Sequence, residues 1–129
     1  MSSPSDQRRV LVVDDEVDLV VTYVRLLERQ GYRVVTAGTR GEALTIVERQ
    51  PLRLVISDLR LPDGDGLDVV RAATVRPRAT PAIVVTGFSS GAARMAAFEA
   101  GASAFLAKPF SAPRLMAAVH ELSGPACPA

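Results

Sequence analysis

The chain is poor in the residues that staple a fold, gather soft metals or span a bilayer. Its single cysteine, Cys127, sits among the last three residues and can form neither an internal disulfide nor a cysteine metal cluster. No apolar run approaches the ~18 residues of a membrane-spanning helix. Residues 1–9 are polar and lack the apolar middle of a secretory signal. No basic stretch is present and the formal net charge is only +1, so nucleic-acid binding by this chain alone has no electrostatic support. Neither an internal repeat nor a low-complexity segment is visible. A reducing, cytoplasmic setting is the expectation. Lysine is scarcer still: of 15 basic residues only Lys108 is not arginine. An arginine bias accounts for the others and leaves position 108 to be explained.

What remains is ordinary globular material. The 129 residues are 48% apolar and 22% charged, which suits one packed domain. The expected organisation is an extended or disordered segment at 1–8, a domain at 9–123 and a frayed tail at 124–129. Strand and helix patterns alternate along the domain. Short continuous apolar runs at 10–13, 33–37, 54–58, 82–86 and 104–107 read as strands covered on both faces. Helical stripes lie between them, over 17–30 (Val20, Val24, Leu27), 41–50 (Ala43, Leu44, Val47), 67–75 and 92–100. A last stripe carries Leu115, Ala118, Val119 and Leu122 at i, i+3, i+4 and i+7. Gly31, Pro51 and Gly101 supply stops, Ser111 an N-cap and Pro113 a first-turn residue. Residues 61–66 read as a loop. Five βα units imply an α/β fold, a doubly wound parallel sheet with helices on both faces.

In such sheets ligands bind beyond the carboxyl ends of the strands. Four polar clusters fall there: Asp14-Asp15, Asp58, Thr86-Gly87 and Lys108. They should converge although they span most of the chain. Carboxylates brought together repel unless a cation joins them, and a hard divalent ion such as Mg²⁺ favours carboxylate oxygens and water. An ammonium, a hydroxyl and a backbone N–H freed by Gly87 suit the charge of a phosphoryl group in transfer. One of the carboxylates can then serve as nucleophile and form an acyl phosphate.

Four motifs carry a family resemblance: Val-Val-Asp-Asp-Glu (12–16), Asp-Leu-Arg-Leu-Pro-Asp-Gly-Asp-Gly-Leu (58–67), Val-Thr-Gly (85–87) and Lys-Pro-Phe (108–110). Over residues 9–123 the chain resembles the receiver domains of two-component response regulators. The resemblance implies a flavodoxin-like (βα)5 fold with strand order 2-1-3-4-5. It implies Asp58 as phospho-acceptor, with a histidine kinase or phosphotransfer protein as donor. Asp15, Asp58 and the backbone carbonyl of Arg60 would hold Mg²⁺ or Mn²⁺, with Asp14 acting through water. Lys108 and Thr86 would bind the phosphoryl group, helped by the backbone N–H groups of Leu59 and Gly87. Phe105 would be the aromatic that turns inward as Thr86 moves, and Pro109 a cis-proline. The face of the fourth helix, fifth strand and fifth helix would meet an output partner, or a second copy after phosphorylation. Such a domain is expected to signal, with self-phosphorylation and self-dephosphorylation only, and no output domain is expected within these residues. Arg60 and Phe88 are less typical: one adds a bulky cation beside the site, the other a partial cover.

Each residue alone has a plainer reading. Asp14, Asp15 and Asp58 could be solvated strand ends, Thr86-Gly87 loop chemistry and Lys108 a surface charge; the joint placement decides. Asp63, Asp65 and Asp68 resemble a calcium loop, but its closing glutamate is missing. His120 reads as a surface residue, Met95 and Met116 as gap fillers or interface residues. Two competing functions stay open. A haloacid-dehalogenase-like phosphatase also uses an Asp nucleophile with Mg²⁺, but places it after the first strand with a second Asp two residues on. A pseudo-receiver scaffold would not need the complete acidic set with Lys108.

Overall fold

The computed structural model describes residues 9–75 and 77–123. The segments expected to be extended or frayed, 1–8 and 124–129, lie outside them. The elements run β1 (Arg9–Val13), α1 (Val17–Arg29), β2 (Arg33–Ala37), α2 (Arg40–Arg49), β3 (Leu54–Ser57), β4 (Arg60–Leu61), β5 (Gly64–Asp65), α3 (Leu67–Thr74), β6 (Ala82–Thr86), α4 (Gly91–Glu99), β7 (Ala104–Ala107) and α5 (Ala112–Ser123). Five strands form a parallel sheet in the order β2-β1-β3-β6-β7. This is the expected 2-1-3-4-5 arrangement, with the small β4–β5 hairpin inserted in the chain.

The apolar runs become strands because every second side chain is buried on each side of the sheet. In β1, Leu11 and Val13 enter a core with Ala43 and Val47 of α2, Val69, Val70 and Ala73 of α3 and Ala97 of α4. Val10 and Val12 enter the opposite core with Tyr23 and Leu27 of α1 and Leu115 and Val119 of α5. The helices therefore cover the sheet on both faces, three on one and two on the other. Tyr23 is 1% exposed and, with Leu27, forms the buried line of α1. The aliphatic stripe expected through Val20 and Val24 is only half-buried.

The loop expected at 61–66 is in large part a hairpin that begins one residue earlier. Arg60 pairs with Asp65 and Leu61 with Gly64 in an antiparallel hairpin. Gly64 sits at φ +154, where a Cβ would come 2.6 Å from Arg40 Cδ, so glycine is required there. The Lys108–Pro109 peptide is cis. Ser111 Oγ accepts the Arg114 N–H at 3.3 Å, as its N-cap role requires. No helix among the described residues is long and apolar enough to cross a membrane.

Candidate functional site

Strands β1, β3, β6 and β7 lie parallel and side by side, so their carboxyl ends share one rim. Asp14 follows β1, Asp58 follows β3, Thr86 ends β6 and Lys108 follows β7. Lys108 Nζ donates to Asp14 Oδ2 at 2.8 Å, to Asp58 Oδ2 at 2.8 Å and to Glu16 Oε1 at 3.0 Å. The side chains of Lys108, Asp14 and Asp58 are 11%, 1% and 9% exposed, whereas Glu16 is 61% exposed. The lone lysine is thus a nearly buried counter-ion shared by three carboxylates.

Asp58 is held at both oxygens. Its Oδ1 accepts the Leu59 N–H at 2.7 Å and, less closely, the Arg60 N–H at 3.4 Å. Its Oδ2 faces the ammonium. Asp14 Oδ1 accepts the Glu16 N–H at 2.9 Å, which turns the chain from β1 into α1 and brings Glu16 over the lysine. Carboxylate oxygens of Asp14, Glu16 and Asp58 all lie within 4.8 Å of one another. Asp15, expected as a metal ligand, is exposed and is not in that trio. Glu16 is the member of the trio that the strand-end reading does not single out, and its signal in the sequence is the third consecutive acid after β1.

Thr86 is fully buried. Its Oγ1 accepts the Phe88 N–H at 3.1 Å, and its carbonyl accepts the Lys108 N–H at 2.8 Å. No hydrogen bond joins Thr86 to Asp58 among the described residues. Gly87 is exposed, and a Cβ there would meet nothing within 4 Å. Gly66 is the tight position instead, since a Cβ would stand 1.8 Å from the Asp58 carbonyl oxygen. Phe105 is 9% exposed, already inward. Arg60 and Phe88 meet each other, the guanidinium carbon standing 3.6 Å from the ring centroid. Such stacking is worth about 0.5–1 kcal/mol where solvent reaches it. His120 is exposed and stacks on Tyr32 with centroids 6.4 Å apart.

Burial would lower the Lys108 pKa, but its hydrogen bonds with Asp14, Asp58 and Glu16 win and hold the ammonium above its usual range. Burial pushes the Asp14 carboxyl up, and the Lys108 hydrogen bond offsets this only in part. The lysine decides the charge state, because its three acceptors keep it protonated at neutral pH. Tyr23 is also raised, first by burial and then by the Asp14 charge, and its hydroxyl finds no hydrogen-bond partner among the described residues. Lys108 and Tyr23 keep their protons in the folded state after the unfolded chain has lost them. Their contribution to stability is present below the ordinary values of 10.5 and 10.0 and is lost as pH rises beyond them. Thermal melting should therefore fall steeply above pH ~10. Tyr23→Phe should flatten that fall while leaving stability at pH 7 unchanged or higher, because it removes an unpaired buried hydroxyl. Equal alkaline slopes in the two proteins would contradict the assignment.

A family model described as the response regulator receiver domain matches residues 10–120. The alginate biosynthesis transcriptional regulatory protein AlgB of Pseudomonas putida is 36% identical over 120 residues, 93% of this chain and 27% of that protein. The chain thus spans about a quarter of that relative. A CheY-like receiver domain protein from Methanospirillum hungatei superposes with TM-score 0.82 at 33% identity, covering 88% of this chain and 91% of that one. The receiver domain of the sensor histidine kinase PA1611 from Pseudomonas aeruginosa, whose structure has a magnesium ion in its active-site cleft, gives TM-score 0.81 at 27% identity over 91% and 98% of the two chains.

Proposed function

The chain belongs to the response regulator receiver domain family, and from that premise we propose that it accepts a phosphoryl group on Asp58 from a histidine kinase or phosphotransfer protein. The observation that carries the reading is the Lys108 ammonium 2.8 Å from Asp58 Oδ2, two groups fifty residues apart brought together beyond the ends of β3 and β7, which flank β6 in the sheet. A carboxylate oxygen of Asp58 attacks phosphorus, the phosphorus–nitrogen bond of the phosphohistidine breaks, and the imidazole, already protonated on its other ring nitrogen, leaves as the neutral ring. Lys108 pairs with the incoming phosphoryl oxygens, Thr86 turns its hydroxyl from the Phe88 N–H toward them, and the Gly87 N–H, together with that of Leu59, completes their shell.

Carboxylate oxygens of Asp14, Glu16 and Asp58 cluster within 4.8 Å, an all-oxygen surrounding of the kind that a hard divalent ion prefers. Asp15, Asp58 and the Arg60 carbonyl would hold Mg²⁺ or Mn²⁺, with Asp14 through water. When bound, the ion supplies positive charge to the phosphoryl oxygens. Asp15 reaches this role by a change at the β1–α1 turn, where Glu16 now takes the inward place. Phe105 follows Thr86, and the face of α4, β7 and α5 meets the output partner or a second copy. Met95 and Phe98, exposed on α4 at 65% and 40%, supply apolar contact area there. The protein acts as a signalling domain whose only chemistry is phosphoryl acceptance and self-dephosphorylation, in the cytoplasm. The phosphatase reading loses its basis, since the family match spans nearly the whole domain.

Incubation with acetyl phosphate or phosphoramidate and Mg²⁺ should add the mass of one phosphoryl group to the intact protein. Asp58→Asn should abolish the gain. A wild-type mass that stays unchanged under conditions preserving acyl phosphates overturns the reading; a gain retained by Asp58→Asn moves the acceptor elsewhere.

A further inference from the structure

The acidic residues of the 63–68 segment are left over once calcium binding is set aside, and the structure gives each a partner. A helix leaves its first backbone N–H groups without intrahelical acceptors. In α2 the Glu42 N–H goes to the N-cap, Thr39 Oγ1, at 3.1 Å. The two N–H groups before it are satisfied from a distant segment: Asp63 Oδ1 accepts that of Arg40 at 2.6 Å, and Asp63 Oδ2 accepts that of Gly41 at 2.9 Å. One carboxylate thus sits at the positive end of the α2 dipole with both oxygens engaged. Those same two N–H groups hold the Asp63 carboxyl below its ordinary range.

Asp63 lies at the turn of the hairpin whose first residue is Arg60, two positions after the acceptor. A second tie runs in parallel. Arg40 Nε meets Asp68 Oδ2 of α3 at 2.8 Å, and Asp68 Oδ1 takes Arg71 at 3.0 Å. Between the ties, Gly64 abuts the Arg40 stem. On the inner side the Gly66 N–H donates to the Leu59 carbonyl at 2.7 Å. The β4–β5 hairpin that carries Arg60 is therefore tied at its base by Gly66 to Leu59 and at its tip by Asp63 to the first turn of α2.

We propose that Asp63 is a positioning residue of the phosphorylation site: docked on the first turn of α2, it sets the β4–β5 hairpin and with it the Arg60 backbone carbonyl. The proposal rests on the reading of that carbonyl as a metal ligand. It predicts that losing the dock loosens the hairpin and weakens Mg²⁺, although Asp63 is no ligand.

Three variants separate this from plain helix capping. Asp63→Ala removes both bonds, Asp63→Asn keeps one acceptor oxygen, and Thr39→Ala weakens the same helix end without touching the hairpin. Mg²⁺ affinity is measured by calorimetry, and amide hydrogen exchange at Arg60 and Leu61 is followed in metal-free protein. The expected result is a loss of affinity of about 10-fold for Asp63→Ala, the scale of groups that orient metal ligands. Asp63→Asn should fall between it and the wild type, and Thr39→Ala should stay within about twofold of the wild type. Exchange at Arg60 and Leu61 should quicken only in the Asp63 variants. Equal losses in Asp63→Ala and Thr39→Ala, or unchanged exchange at the hairpin, overturn the proposal. Should wild type bind no Mg²⁺, the reading of the carbonyl fails, while the exchange comparison still decides whether Asp63 sets the hairpin.

Discussion

Lys108→Met should lower the melting temperature at pH 7 in chelator by about 10 °C. The side chains of Asp14 and Asp58 are 1% and 9% exposed and share this ammonium. Removing one partner from a buried charge cluster costs about 3–5 kcal/mol, because the remaining charges stay desolvated and unpaired. The low end of that range applies here, since Glu16 is exposed and leaves its place freely. For a domain of this size, about 3 kcal/mol corresponds to roughly 10 °C. The loss should shrink toward pH 5, where the Asp14 carboxyl, raised by burial, takes up a proton more readily and no longer needs a counter-ion. Mg²⁺ should restore part of the stability at pH 7. Lys108→Arg should fall between, because a planar guanidinium does not converge on three carboxylates as an ammonium does. Melting curves at the two pH values, with chelator or Mg²⁺, make the check. An equal deficit at pH 5 and pH 7 would locate the lysine's role in packing rather than charge.

The second large effect belongs to a glycine. Gly66→Ala places a Cβ 1.8 Å from the Asp58 carbonyl oxygen, 2.9 Å from its carbon and 3.1 Å from Ser57 Oγ. The first two are backbone atoms at the end of a central strand, with no rotamer to yield. The Gly66 N–H bond to Leu59 O resists withdrawal of the loop. Either the acceptor is displaced or the start of α3 is. The expected cost is about 2–4 kcal/mol, at the upper end for overpacking, with phosphorylation by acetyl phosphate slowed at least ~10-fold. Gly91→Ala is the control, since a Cβ there meets nothing within 4 Å. A Gly66→Ala protein that melts and phosphorylates like the control would remove the argument.

The sheet and the rim were legible because parallel strands buried on both faces are written as bare apolar runs, each ending where polar residues resume. Asp14, Asp58, Thr86 and Lys108 could thus be gathered before any coordinates. The hairpin was not legible: strands of two residues leave no periodicity to read, and Asp and Gly at 63–66 resemble any turn. Tyr23 is not legible because an aliphatic stripe through Val20, Val24 and Leu27 fits the same helix, while the buried line runs through Tyr23 and Leu27. Asp63 shows the deepest reason. Its partners, Arg40 and Gly41, precede it by more than twenty residues, and nothing local marks a carboxylate that serves another segment's helix. The choice between Asp15 and Glu16 over the lysine is likewise set by how the chain leaves β1, which a run of three acids does not encode.

Strand β7 has a further consequence. Phe105 belongs to the core beneath α2, α3 and α4, while Leu106 belongs to the core beneath α1 and α5. Two residues on comes the site's lysine, and beyond it Phe110 packs on Tyr23 with centroids 5.3 Å apart. A tug on one ammonium is therefore delivered to both layers of the molecule at once. A rearrangement around Asp58 need not choose a side of the sheet to be felt at the surface.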